Sequence, residues 1–388
     1  MELENIRPSI LEEGVDSARK HLWLNTIPGV NIKYILDLKK ELGNIWNIYD
    51  AGKNALKNIV PEGVADSIIM SKKSSKICEE YDRLLEHGIE LLYPERECYP
   101  EKLRKIHTPP QLLYVKGRIK NCLNEYNKTI GIVGSRNPSS YGREICRYFG
   151  EELSGAGFNI ISGMARGIDG IAHRAALDRN GYTVAVLGSG INVAYPRSNL
   201  ELYMQIQEQG AVISEYGLDI SPHPGQFPMR NRIISGLSDS VLVVEARAQS
   251  GSLITADQAA EQGRIVYSVP GRIMDPYSEG TNNLIRDGAI CVTKPMDIIE
   301  DMVGLEEERV GESRDYVYTP SIQPLYKKSD LSEEEQRVLD ILSLEPVYID
   351  DIIQKTRMGV TRIISLLYGM EMKKLIKQTE KGYYILRL

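Results

Sequence analysis

The segment Gln226–Asp257, QFPMRNRIISGLSDSVLVVEARAQSGSLITAD, is the strongest indication of fold in this chain of 388 residues. Its centre, Ser240–Val244, is a short apolar run bounded by turn residues, which is typical of a buried parallel strand. A Gly/Ser turn follows and opens a helix, where free backbone N–H groups favour an anion. The candidate anion-binding residues of this stretch are the ring, the cations and the turn residues Phe227, Arg230, Arg232, Ser250, Gly251 and Ser252.

Runs of the same kind recur on both sides of this stretch and alternate with segments long enough for helices. They lie at Thr129–Val133, Phe158–Ile161, Thr183–Leu187, Ala211–Ser214, Ile265–Val269 and Ala289–Val292. Two more runs, at Ile89–Leu92 and Leu112–Val115, predict added strands of the same sheet. Alternating β and α units predict an α/β fold, namely a Rossmann-like, doubly wound, mostly parallel sheet with helices on both faces.

Most of these runs end in turns that contain glycine, serine or arginine. Gly134-Ser135-Arg136 follows the first parallel run, and SGMARG, residues 162–167, ends the second. In an open parallel sheet, ligands bind at the carboxyl ends of the strands, near the switch point. One Gly-Ser pair is common in a turn between a strand and a helix, but several such turns in register on one edge of the sheet predict a phosphate-binding surface. The candidate residues of these turns are Ser135, Arg136, Gly163 and Arg166.

The length predicts more than one domain, because a single core rarely extends over so many residues. Residues 1–84 have helical spacing of apolar residues around an IPGV turn, which favours a SAM or helix-hairpin-helix-like domain or, alternatively, a plain helical packing module. Residues 85–305 form the Rossmann-like domain, and 306–330 are an acidic, proline-containing linker. Residues 331–388 predict three helices and a hairpin, the plan of a winged-helix domain.

Charge restricts how this protein can bind a polyanion. The formal net charge is −6, which argues against general attraction to nucleic acid, so any such binding must be local. The winged-helix segment has nine basic and nine acidic residues. That balance favours a protein-interaction or accessory role over readout of a DNA major groove.

Several catalytic and cofactor-binding patterns are absent from the sequence. No G-x-x-x-x-G-K-[ST] segment occurs, so P-loop ATP hydrolysis is excluded. Gly188–Gly190 begins a dinucleotide fingerprint, but Val193 stands where its third glycine belongs. Asp169 and His173 are four residues apart on a predicted helix, where they are either a metal pair or a capping aspartate and a hydrogen-bonded histidine. We expect no cofactor, no metal and no catalytic constellation.

The composition also indicates the compartment. The five cysteines are scattered without a C-x-x-C pair, which is typical of a reducing environment. The first residues lack a basic and apolar leader, and no run approaches the roughly 18 apolar residues of a membrane-spanning helix. We therefore expect a cytoplasmic protein without membrane contact.

Several long motifs in the sequence are specific enough to indicate a protein family. They are VGSRNPSSYG (133–142), SGMARGIDGIAH (162–173), LGSGINVAYP (187–196), the segment from Phe227 to Ala259, and EGTNNLIRDGA (279–289). In this order they resemble the DprA/Smf family of DNA-processing proteins. The IPGV turn and the winged-helix tail agree with the family, so the resemblance covers nearly the whole chain.

The resemblance implies a DNA-binding protein without established catalysis. Members of that family bind single-stranded DNA along the Rossmann-like domain and form a homodimer through it. They load a RecA-type recombinase onto incoming DNA during natural transformation. Single-stranded DNA, the recombinase and a second copy of the chain are therefore the expected partners.

The resemblance also implies roles for residues predicted above. Arg136 would hold a phosphate, and Phe227 would stack on a base. One departure is the loop Ser221–Gln226, SPHPGQ, which lacks the lysine often found there in the family. The donors and groups that flank the DNA backbone would be Ser135, Gly163, Arg230 and Asn231.

Two other functions stay open at this point. A related group of Rossmann enzymes cleaves nucleoside monophosphates and resembles a P-G-G-x-G-T-x-x-E pattern. Here only Pro270-Gly271 and Gly280-Thr281 are present, and they are separated. A nucleotide sensor that uses the same pocket is the third possibility.

Overall fold

A computed structural model describes residues 7–72, 76–119, 128–310, 331–343 and 345–387. The N-terminal part is helical. The side chain of Asn31 accepts a hydrogen bond from the Tyr34 N–H and so caps the second helix after the IPGV turn. The helices are α1 (Arg7–Thr26), α2 (Ile32–Leu42), α3 (Ile45–Asp50), α4 (Lys53–Lys57), α5 (Glu62–Ser71) and α6 (Lys76–Glu86).

These helices pack against one another and against the central sheet. Trp23, Leu38 and Ile68 belong to a core of their own. Leu22 and Leu84 instead join a cluster that includes residues of the central sheet. The N-terminal helices and the sheet domain therefore share a buried apolar contact.

The central sheet has nine strands and confirms the predicted fold class. Its strands coincide with the predicted apolar runs, with shifts of one or two residues at some ends. The strands are β1 (Glu90–Leu92), β2 (Leu113–Gly117), β3 (Thr129–Val133), β4 (Asn159–Ser162), β5 (Thr183–Leu187), β6 (Ala211–Ser214), β7 (Ser240–Val243), β8 (Ile265–Ser268) and β9 (Ile290–Cys291).

The order of the strands locates the switch point. It is β1-β2-β6-β5-β4-β3-β7-β8-β9, and β1 and β2 are antiparallel additions to an otherwise parallel sheet. From β3 the chain proceeds outward to β6, then returns to the other side of β3 as β7. Val133 and Val243 are paired where these two strands end. A doubly wound sheet binds ligands at this position.

Helices cover both faces of the sheet. Val133 and Ile161 pack in one core with residues of the helices at 226–237 and 251–261, whereas Ile132 and Ile160 pack in the other with the helices at 140–155, 168–178 and 295–310. This alternation along buried strands stabilises the fold, since each such side chain contributes about 1.5–3 kcal/mol. The helices are α7 (Glu101–Arg104), α8 (Ser140–Gly155), α9 (Ile168–Asp178), α10 (Leu200–Gln209), α11 (Gln226–Leu237), α12 (Gly251–Glu261), α13 (Glu279–Arg286) and α14 (Pro295–Val310).

The helix α14 continues to Val310, past the predicted start of the linker at residue 306. The rest of the predicted linker, 311–330, lies outside the described residues. Among the helices of the described part of the chain, none is both long and apolar enough to cross a membrane.

The C-terminal domain is a winged helix, as predicted. Its first helix begins at a capping box of Ser332 and Glu335. The two-residue strand β10 was not predicted, because so short a segment shows no alternation. The elements are α15 (Glu333–Leu339), β10 (Val347–Tyr348), α16 (Ile349–Thr356), α17 (Val360–Met372), β11 (Ile376–Glu380) and β12 (Tyr383–Leu386).

Candidate nucleic-acid interface

A cavity of about 780 Å³ opens at the carboxyl edge of the sheet, around the ends of β3 and β7. The turn after β3, the start of α11 and the start of α12 form its walls. Eight of the predicted residues, which come from three separate segments, line this cavity: Ser135, Arg136, Phe227, Arg230, Asn231, Ser250, Gly251 and Ser252.

Arg136 and Phe227 form an accessible pair in the site. The Arg136 guanidinium carbon lies 5.3 Å from the centre of the Phe227 ring, and Tyr195 lies beside that ring at 5.8 Å between centroids. Phe227 is half-buried, because it packs against Gly188, where a β-carbon would lie 2.7 Å from the ring. Arg136 is exposed, and no carboxylate of the described residues forms an ion pair with it. A cation free to bind a phosphate therefore lies beside a ring that can stack.

Arg230 has a structural role beneath this pair. It is only 4% exposed, and its Nη1 donates to the carbonyl oxygens of Gly163, at 2.7 Å, and Val186. Burial lowers the pKa of Arg230 to about 10, whereas the nearby Asp169 carboxylate raises it. Gly163 is required at this contact, since a β-carbon there would lie 2.7 Å from the guanidinium. Arg230 and Gly163 therefore shape the edge from below, and Gly163 does not line the cavity.

Two other predicted residues lie away from the cavity. Arg232 is buried, and its Nη2 donates to the Glu215 carboxylate at 2.6 Å. Because residues 226–237 are helical, positions 230 and 232 point to different faces of α11, which the linear sequence does not show. Arg166 is exposed but does not line the cavity. The structure thus corrects the predicted grouping of Arg232 with Phe227 and Arg230.

The start of α12, at Ser250 and Gly251, forms one wall of the cavity. Ser250 is its N-cap, and its side chain accepts from the Ser252 N–H at 3.4 Å. The carbonyl of Gly251 accepts from Asn231 Nδ2 at 3.3 Å, which joins α11 to this turn. A helix N-terminus that faces a cavity attracts anions, because its first N–H groups lack partners within the helix.

Contacts between the two turns at the switch point fix the walls of the cavity. The Glu245 carboxylate accepts from the Ser139 N–H at 2.9 Å and from its hydroxyl at 2.6 Å. The backbone carbonyl of Glu245 accepts from the Ser135 N–H at 2.7 Å. Burial raises the pKa of Glu245, and the bonds from Ser139 oppose that effect. Glu245 therefore orients the turn after β3, so its structural role is established by these bonds.

Asp169 and His173 occupy separate environments. Asp169 lines the cavity, and its carboxylate accepts from the Ala165 N–H at 3.3 Å. Burial raises the pKa of Asp169, whereas Arg230 lowers it. His173 is fully buried, where its Nδ1 lies 2.6 Å from the Thr183 hydroxyl, and burial lowers its pKa to about 3. These contacts match the hydrogen-bonded interpretation of the pair.

Comparison with known proteins identifies the family. The family model described as DNA recombination-mediator protein A matches residues 90–303, more than half of the chain. Protein Smf of Escherichia coli is 40% identical over 299 residues, which cover 76% of this chain and 77% of that protein. The chain belongs to the DprA/Smf family. The DprA winged helix domain also matches, at residues 325–382.

Other DprA proteins agree in sequence and structure. DNA processing protein DprA of Bacillus subtilis is 42% identical over 217 residues, 56% of this chain and 72% of that protein. The X-ray structure of DprA from Streptococcus pneumoniae has a TM-score of 0.66 and 32% identity, and the match covers 73% of this chain and 97% of that one. DNA processing protein A of Helicobacter pylori, whose structure was described for its single-stranded DNA binding mode, has a TM-score of 0.51, 29% identity and coverages of 56% and 96%.

Three aromatic or cationic side chains that line the cavity of this DprA/Smf chain were not predicted from the sequence. Arg247 and Tyr277 face the same cavity, and the Arg247 guanidinium carbon lies 4.4 Å from the centre of the Tyr277 ring. The position of Arg247 just after β7, at the switch point, was a usable signal. Tyr195 and Tyr277 lie in irregular loops, where no periodicity indicates which way a side chain points.

The DprA winged-helix domain has a different surface. Its helix α17 has a row of exposed apolar side chains that are between 53% and 70% accessible, namely Val360, Ile364, Tyr368 and Met372. Arg362 Nε donates to Glu334 at 2.9 Å, and Lys373 Nζ donates to Glu335 at 2.7 Å. The basic groups of this helix are therefore paired within the domain, and its exposed face is largely apolar.

Proposed function

We propose that this protein binds single-stranded DNA, without sequence preference, at the carboxyl edge of its central sheet. The observation that carries the proposal is the unpaired Arg136 over the half-buried Phe227 ring, beside the N-terminus of α12. Stacking on an aromatic ring tolerates any base, and arginine binds any phosphate. The relationship to a Helicobacter pylori protein described with a single-stranded DNA binding mode supports it.

Each residue has a distinct part in the proposed contact. Arg136 binds a phosphate, together with the Ser135 hydroxyl, and Phe227 stacks on a base. At the start of α12, the Gly251 N–H is the donor for the same strand, since the N–H groups of Ser250 and Ser252 already donate to the Arg247 carbonyl and the Ser250 side chain. Arg230 acts indirectly, because its guanidinium already binds two backbone carbonyls. Arg166, which is exposed near the edge, contacts the strand outside the cavity.

Fluorescence anisotropy with labelled oligo-dT, oligo-dA and duplex DNA tests the proposal. We expect tight, salt-sensitive binding of both single strands and much weaker binding of the duplex. Phe227→Leu should weaken binding of both single strands by roughly 5- to 150-fold, the loss of one stacked base. Arg118→Ala is the matched control, since Arg118 is an exposed arginine at the opposite edge of the sheet. Equal affinity for duplex and single strand would contradict the proposal.

We also propose a cellular role for this binding. The protein protects incoming DNA in the cytoplasm and loads a RecA-type recombinase onto it during transformation and recombination. Bound protein shields the strand from nucleases and presents it for filament nucleation. Sub-stoichiometric protein should shorten the lag in single-strand-dependent ATP hydrolysis by the recombinase, and Phe227→Leu should restore the lag. If the protein binds oligo-dT but the lag is unchanged, recombinase loading is refuted and single-stranded DNA binding is not.

A homodimer through the Rossmann-like domain is also part of the proposal. The strand β9 is an edge of the sheet, and Ile290 in it is 44% exposed. Ile273 and Met274, in the loop after β8, are 89% and 88% exposed. A second copy would bury these side chains. Sedimentation should give a dimer for the wild type and a monomer for Ile290→Lys; a monomeric wild type would contradict this part.

The winged-helix domain contacts protein in this proposal. The exposed face of α17 is apolar and its arginine is paired, whereas duplex binding needs free cations. Mutation of Tyr368→Ala should leave the weak duplex affinity unchanged. A large loss of duplex binding in that variant would assign α17 to DNA instead.

A further inference from the structure

The cavity contains a second pair of an arginine and an aromatic ring. Arg247 lies over Tyr277 at 4.4 Å, just as Arg136 lies over Phe227 at 5.3 Å. Arg136 and Arg247 follow β3 and β7, the neighbouring strands at the switch point. Phe227 packs against the end of β5, whereas Tyr277 follows β8, so the two rings flank the two arginines. The site thus has the same pair of groups on both sides of its centre.

Hydrogen bonds fix the backbone on both sides of the second pair. The Arg247 carbonyl accepts from the Ser250 N–H at 3.0 Å, which ties the turn after β7 to the start of α12. The Tyr277 N–H donates to the Asp275 carboxylate at 2.9 Å, and the Ser278 N–H donates to the Asp275 carbonyl at 2.9 Å. Tyr277 is half-buried. A short hydrogen-bonded turn therefore fixes the backbone at Tyr277, and the ring packs beneath the Arg247 guanidinium.

Charge favours a nucleotide at this pair. Arg247 is exposed, and none of the carboxylates in the described ranges forms an ion pair with it. The Asp169 carboxylate that lines the cavity lies near Arg230 and Arg136, which offset its charge. A flat guanidinium over a ring extends the stack to a base, and its N–H edge stays available to a phosphate.

We propose that Tyr277 and Arg247 form a second nucleotide position, for the same strand whose base and phosphate are held by Phe227 and Arg136. The inference rests on the proposed single-stranded DNA binding and makes it more specific. A mononucleotide occupies the Phe227 position, and only an oligonucleotide of a few residues reaches both rings. The Gly251 N–H at the start of α12, which lines the same cavity, donates to the backbone of this strand.

Competition of 5′-phosphorylated thymidine mono-, di- and tetranucleotides against labelled oligo-dT, with the full chain, tests this position. Tyr277→Leu should weaken the tetranucleotide by roughly 5- to 150-fold, the effect of one stacked base, and leave the mononucleotide unchanged. Tyr277→Phe should behave as the wild type, because it keeps the ring. Phe227→Leu should weaken all three ligands. Arg247→Gln should make the salt dependence of oligo-dT binding shallower by about 0.7 in log–log slope.

The outcomes separate the inference from the proposed function. If Tyr277→Leu binds the tetranucleotide like the wild type, or loses the mononucleotide equally, the second position is refuted. If the wild type does not bind oligo-dT, the proposed function itself fails. Equal melting temperatures of the Leu and Phe variants would show that the ring, and not the fold, causes the difference.

Discussion

Replacement of Arg136 by alanine is the sharpest test of the proposed interface. The side chain is exposed and forms no ion pair with a carboxylate of the described residues. Asp169 lies near it, but Arg230 has the larger effect on that carboxylate, so the fold does not depend on Arg136. We expect the free energy of unfolding to change by no more than about 0.5 kcal/mol, as for other surface substitutions. An effect on DNA binding would then report a lost contact to the strand.

The magnitude follows from counterion release. Each phosphate contact to a single strand adds about 0.7 to the slope of log affinity against log salt concentration. Loss of one contact should therefore reduce affinity by roughly 25-fold at 0.01 M salt and about 5-fold at 0.1 M, and the two lines should converge near 1 M. Anisotropy of labelled oligo-dT over this salt range measures both the slope and the affinity.

Two control variants sharpen the result. Arg136→Lys keeps the charge, so its slope should equal that of the wild type, although the flat group over Phe227 is lost. Arg118→Ala removes an exposed arginine at the opposite edge of the sheet and should change neither slope nor affinity. If plots of log affinity against log salt concentration coincide for Arg136→Ala and the wild type, the phosphate contact is refuted.

Three other predictions concern the buried groups. Arg230→Ala should lower the free energy of unfolding in urea by about 3–5 kcal/mol, because it leaves Asp169 and two carbonyls without their buried partner; a loss below 1 kcal/mol would contradict the support role. His173 has a folded pKa of about 3, below its unfolded value, so its stabilising contribution is complete above pH 6.5 and decreases as the pH falls toward 3. Between pH 7 and pH 5 the wild type should lose about 2 kcal/mol more than His173→Gln, and equal urea midpoint shifts would refute this. Incubation with AMP should release no adenine by chromatography, because the P-G-G-x-G-T-x-x-E pattern is broken and Glu245, the carboxylate at the end of β7, is engaged by Ser139. Release above a protein-free blank would favour the nucleotide-cleaving alternative.

The strands could be predicted from sequence because buried parallel strands are almost wholly apolar. Thr183–Leu187, TVAVL, was predicted with its observed bounds, and every residue in it is buried. The position of the site at the carboxyl edge followed from the turns and from the rule for doubly wound sheets. The order of the strands was not predicted, since apolar runs do not specify their neighbours.

Side-chain directions in the site could not be predicted from sequence. Arg230 and Arg232 look equivalent in the sequence, yet one supports the cavity edge and the other pairs with Glu215. Only the helical path of α11 separates them. Tyr277 lies 50 residues after Phe227 in the chain, in a loop without a repeating pattern, so only the fold brings the two rings to one cavity.

The arginines of the site differ in burial, and this difference explains how one edge of the sheet is rigid and also able to bind a ligand. Arg230 is buried, and its guanidinium donates to backbone carbonyls of the protein. The hydrogen bonds from Ser139 to Glu245 fix the neighbouring turns. Arg136 and Arg247 are exposed and keep their donors for a ligand. Because the turns are already fixed, binding must order only these two side chains and the strand, which lowers its entropic cost. The buried groups therefore set the shape of the interface, and the exposed arginines set its affinity and its dependence on salt.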